Sequence, residues 1–190
     1  MPNDDIFAER GRSFEEEYFR KKDRELIEKM RQAAASAQAR AELGARTGLN
    51  DPQLLAELEA LGFTPDTVEL LPLVPLVQVA WAESGVTPAE RNLIVKLARA
   101  RGIAEGSAAD LHLAGWLDRR PAEDVFSRAR RLISAMLAMP GQQQLSADDL
   151  VKHCEAIAAA SGGIFGVNKV SAEERKLLAS IADALKGRAG

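Results

Sequence analysis

Apolar residues in this chain recur at spacings of one, three and four, and no run alternates apolar with polar over β-branched or aromatic residues. That rhythm belongs to helices with one buried stripe, and Ala, Leu, Glu, Arg and Lys, which dominate, are good helix formers. The pattern predicts an all-α fold, a compact helical bundle with a long N-terminal helical arm, which cap and stop signals cut into about eight helices. The first is highly charged and runs from about Ser13 to Leu43, ending in the loop Gly44 to Asn50. Asp51 caps a short helix with Pro52 at its first position, and Gly62 ends it. Thr64-Pro65 opens a helix predicted to bend at Pro72 or Pro75 and to stop at Gly85. Later helices start at Thr87, Ser107, Pro121, Ser146 and Ser171, and the last ends near Gly187.

Two of these helices are versions of one another. Val86-Thr87-Pro88-Ala89-Glu90-Arg91-Asn92-Leu93-Ile94 reappears as Val170-Ser171-Ala172-Glu173-Glu174-Arg175-Lys176-Leu177-Leu178, without a gap through Ala98 and Ala182. Each copy follows an alanine-rich tail that ends in Ser-Gly, at Ser84-Gly85 and at Ser161-Gly162. A unit repeated inside one domain asks for the same local structure twice. Here that structure is a helix, a glycine break, and a second helix opened by a capping box, Thr87 with Glu90 and Ser171 with Glu174. Leu93, Ile94, Leu97 and Ala98 form one apolar stripe, and Leu177, Leu178, Ile181, Ala182 and Leu185 form the other. Val125, Ala129, Leu132, Ile133 and Met136 give a third. The chain thus divides into a charged arm over residues 1–48 and a bundle over 49–190.

Composition narrows the function. With 190 residues the chain can bury a core. A net charge of -3 argues against a dedicated nucleic-acid binder. The single Cys154 rules out an internal disulfide and fits a reducing compartment. Met1-Pro2-Asn3-Asp4-Asp5 lacks the order of a secretion signal, and the apolar stretch Leu70 to Ala82 is too short to span a bilayer. The expected setting is cytoplasmic, with protein partners rather than nucleic acid or direct membrane insertion.

The segment Val79 to Arg91, with its helix, acidic turn and Thr-x-x-Glu start, resembles the tellurite-resistance TerB family. Its second copy, Ala160 to Ser171, resembles the glycine-extended form of that unit, and the resemblance covers about residues 65–187. It implies a helical bundle in the cytoplasm, with a scaffold or interaction role in a stress-response or membrane-associated complex, and no catalysis. Cation binding suggested for TerB-like proteins would fall here on Glu83 and Glu90, with a divalent cation as the one candidate cofactor. The family's usual Asp-Gly pair is replaced by Ser84-Gly85, and Glu90 already has a role as the capping-box carboxylate.

The arm carries a looser resemblance. Phe7-Ala8-Glu9-Arg10 and Glu15-Glu16-Glu17-Tyr18-Phe19-Arg20 are similar to the inhibitory stretch of the mitochondrial ATPase inhibitor protein. This implies an ATPase regulator acting as a helix in a groove, with Phe7, Arg10, Phe14, Tyr18 and Phe19 as contacts. The alternative is an arm whose aromatics dock on the bundle, kept soluble by pairs such as Glu17 with Lys21.

Other candidates read as structural. His153 and Cys154 are neighbours on a helix and point about a hundred degrees apart, while Cys154 completes the stripe Leu150, Val151, Ile157 and Ala158. His112 flanks Leu113 and Trp116. The glycine loop Ser161 to Lys169 lacks the strand and the Gly-Lys-Ser/Thr ending of a phosphate loop; its Ile164 and Phe165 are candidate partner contacts. Arg119, Arg120, Arg128, Arg130 and Arg131 read as a solvated face. No residue constellation names a reaction.

Overall fold

The computed structural model describes residues 30, 35–83, 85–139, 146–160 and 170–186. These residues are helices and turns, with no strand among them, so the all-α reading holds. The chain divides into two compact units, Met1–Ala41 and Glu42–Gly190. In the first, Met30 and residues 35–41 are described and helical, and the rest of the expected charged helix lies outside the described residues.

In the second unit, the helical residues 42–47, here α1, extend past Leu43, where the sequence pattern placed the helix end. Gly44 therefore sits inside the helix rather than opening a loop. A Cβ at this position would stand 3.0 Å from the Leu49 carbonyl oxygen and within reach of the Leu55 methyls. Glycine there lets the returning chain pass close over α1. Thr47 closes the helix by donating its hydroxyl to the Leu43 carbonyl at 2.7 Å while accepting from the Leu49 amide at 3.3 Å. Leu43 and Leu49 are fully buried.

Helix α2, Pro52–Ala60, starts as expected, with an Asp51 carboxylate oxygen accepting from the Gln53 amide at 2.8 Å. The next segment departs from the sequence reading. In place of one bent helix there is a 3-10 helix, Val68–Leu73, followed by α3, Val74–Ala80. Pro72 lacks an amide hydrogen and its ring crowds the carbonyl a turn earlier, so an α-helix does not run through it. Pro75 stands in the first turn of α3, where no intrahelical bond is lost. Helix α3 ends at Ala80, short of Gly85. All its residues are buried, Gln78 included.

Helix α4, Pro88–Ala100, ends in a left-handed glycine: Gly102 has φ 89° and its amide bonds the Arg99 carbonyl, while Ile103 bonds Ala98 at 3.1 Å. This closure turns the buried Ile103 back under the helix. Helix α5, Ala108–Asp118, begins at Ser107 as its capping chemistry predicts. Helix α6 spans Glu123–Leu137, α7 Ala147–Ala160 and α8 Ala172–Leu185. In α6 the predicted stripe is buried from Ala129 to Met136, but Val125 is only half-buried and Phe126 takes its place in the core.

The two repeat units face each other. Helix α3 packs on α7, α7 also lies against α4 and α8, and α6 covers α8 and α3. The first turn of α7 carries Asp148 and Asp149. Lys186, at the end of α8, reaches Asp148 at 2.8 Å, and Arg101, at the end of α4, feels the charge of Asp149. Acidic residues at a helix start and basic ones at a helix end each suit the helix dipole. The C-terminal ends of α4 and α8 thus both meet the start of α7, and α7 runs antiparallel to the two.

Candidate functional site

That arrangement places the starts of α4 and α8 at the same end of the bundle, and each start carries a buried carboxylate. Glu90 is 2% exposed and Glu174 1%. Both capping boxes predicted from the sequence are formed. The Thr87 amide donates to Glu90 Oε2 at 2.7 Å and the Glu90 amide to Thr87 Oγ1 at 3.3 Å. The Ser171 amide donates to Glu174 Oε2 at 2.7 Å and the Glu174 amide to Ser171 Oγ at 3.1 Å. Each carboxylate folds back on its own helix because the first-turn amides have no intrahelical acceptor.

The charge of the second box is felt at the first. Burial holds the Glu90 carboxyl above the usual carboxylate range; the hydrogen bonds with Thr87 pull it down, and the negative charges of Glu174 and Glu83 push it up again. Glu83, in the turn after α3, is exposed. Of the residues proposed for a cation, the fold therefore brings Glu83 and Glu90 into electrostatic range and adds Glu174. The sequence presented Glu174 only as a cap. Its position in the repeat, equivalent to Glu90, was the signal that could have paired them. Among the described residues no group of three His, Cys, Asp or Glu is placed to hold a metal ion. Phe7, Arg10, Phe14, Tyr18 and Phe19, and the loop residues Ile164 and Phe165, lie outside the described residues, as does Ser84.

Cys154 and His112 have structural surroundings. Cys154 is fully buried, and burial, with a smaller push from Glu155, raises its thiol to about 12. At neutral pH it is a small apolar group rather than a nucleophile. His153 is half-buried, and its Nδ1 meets no hydrogen-bond partner among the described residues. His112 packs edge-on against Trp116 with ring centres 4.6 Å apart, and burial depresses its pKa. Trp116 in turn meets Phe63 edge-on and accepts, through its carbonyl, the Trp81 indole N–H at 2.8 Å. This cluster fastens α5 to the turn that follows α3.

Arg119, Arg120 and Arg131 are exposed as the solvated-face reading expects, whereas Arg128 and Arg130 are half-buried and correct it. Arg128 bonds Glu57 of α2 at 3.0 Å, and Arg131 joins the same carboxylate, whose side chain is 11% exposed. Arg130 donates to the buried Gln78 of α3, whose amide donates to Glu123 at 3.4 Å. Arg120 pairs with Glu123 at 3.0 Å and stands over the Phe126 ring. Arg128 and Arg130 tie α6 to α2 and α3, and the exposed Arg131 adds an ion pair to Glu57 from the solvent side. Helix periodicity alone could not show this, because the partners lie on α2 and α3.

No family model, curated protein or solved structure matches this chain. No helix among the described residues is long and apolar enough to cross a membrane.

Proposed function

We propose that this chain is a non-catalytic interaction or scaffold protein of TerB type, working in the cytoplasm through protein partners, in a stress-response complex of the tellurite kind or one associated with a membrane. The observation that carries the reading is the duplicated unit, in which two capping-box helices each bury the glutamate of their cap and the charge of Glu174 reaches Glu90. The groups with chemical potential support a structural role: Cys154 is buried with a raised pKa, Glu90 and Glu174 cap helices, and Arg128 and Arg130 tie helices together. The test is affinity capture from native lysate with the full chain and with a full chain carrying Phe14→Ala, Tyr18→Ala and Phe19→Ala. A defined partner retained by both forms supports recognition by the bundle. A partner lost with the aromatics, together with slowed ATP hydrolysis by an added ATP synthase, would replace the scaffold reading with the ATPase regulator.

A second reading, a divalent-cation sensor, is favoured by one observation. Burial holds the Glu90 carboxyl above the usual carboxylate range, and the charges of Glu174 and Glu83 add to that burden. A hard cation would relieve that repulsion, with backbone carbonyls or water completing its oxygen shell. Binding to the native state alone raises the melting temperature by mass action. Millimolar calcium or magnesium is expected to raise Tm, and Glu90→Gln or Glu83→Ala to remove the increase. Melting curves that coincide with EDTA and with added cation would eliminate the sensor.

A further inference from the structure

We draw no further inference here: the strongest candidate, the exposed apolar stripe of Ala108, Leu111 and Gly115 along α5, carries nothing because nothing in the structure shows what covers that face.

Discussion

The two copies of the repeat begin alike and pack differently. Both α4 and α8 open with a hydroxyl cap and bury the glutamate three residues on. From there the buried faces diverge. Helix α4 buries Glu90, Ile94 and Ala98, whereas α8 buries Glu174, Ile181 and Leu185. In the ungapped register, fully buried Ile94 is matched by half-buried Leu178, and half-buried Leu97 by fully buried Ile181. Carrying that register further pairs half-buried Arg101 with buried Leu185. At a hundred degrees per residue, the two faces differ by roughly 40° of rotation about the helix axis. Both helices touch α3 and α7, but α8 is covered by α6, while α4 leans on the 3-10 helix. A shared cap determines where a helix starts, and the neighbours determine which flank is covered.

Truncation should expose that rotation most strongly. Ile94→Ala and Ile181→Ala each remove a fully buried side chain and should destabilise by about 2–5 kcal/mol in urea unfolding. Leu178→Ala and Leu97→Ala, at the aligned but half-buried positions, should each lose less than about 2 kcal/mol. Equal losses within the pair Ile94 and Leu178 would mean that the copies share one buried face.

The caps should behave in the opposite way, as equals. Thr87→Ala and Ser171→Ala each delete one hydroxyl acceptor at the start of a repeat helix, and each should lower stability by about 1 kcal/mol. A large loss at one site with none at the other would show that the boxes are not equivalent.

A smaller effect separates the ionised groups. Glu90 has a folded-state pKa raised above its unfolded value, so its contribution favours the native state at low pH and is lost as pH rises through the folded value. Glu90→Gln keeps a capping acceptor and removes the buried charge. Relative to wild type, the variant should gain most at neutral pH, and the gain should shrink as unfolding is repeated toward pH 4. A gain that stays constant with pH would contradict the raised pKa.

Asp148 has the reverse sign. Its hydrogen bond to Lys186, with that ammonium's charge, lowers its pKa, so the stabilisation is present above the unfolded value and fades as pH falls through the folded one. Asp148→Asn should therefore be slightly less stable than wild type at neutral pH, with the difference reduced by added salt. A salt-independent loss would mean that the aspartate acts through packing.

Most of the fold was legible because its signals are local. Asp51, Thr87, Ser107 and Ser171 cap the helices they were expected to cap, since a hydroxyl or carboxylate reaches amides only two or three residues away. The stripes of α4, α6, α7 and α8 follow from the 3.6-residue period for the same reason. Local rules were weaker where backbone chemistry competes. Pro72 and Pro75 announced a break, but not that a 3-10 turn and a short buried helix would replace one bent helix. Gly44 looked like a stop signal until the approach of Leu49 gave it another task.

Local chemistry along the chain makes it helical, sets where most of its helices begin and repeats one unit, because caps and periodicity act within a few residues. Packing, by contrast, sets the starts of α4 and α8 at one end of the bundle, makes Glu174 felt at Glu90, and brings α6 arginines to Glu57 and Gln78. Those pairings join residues far apart along the chain. They depend on which helix faces are covered and in which direction each helix runs, and neither property is written in a local pattern.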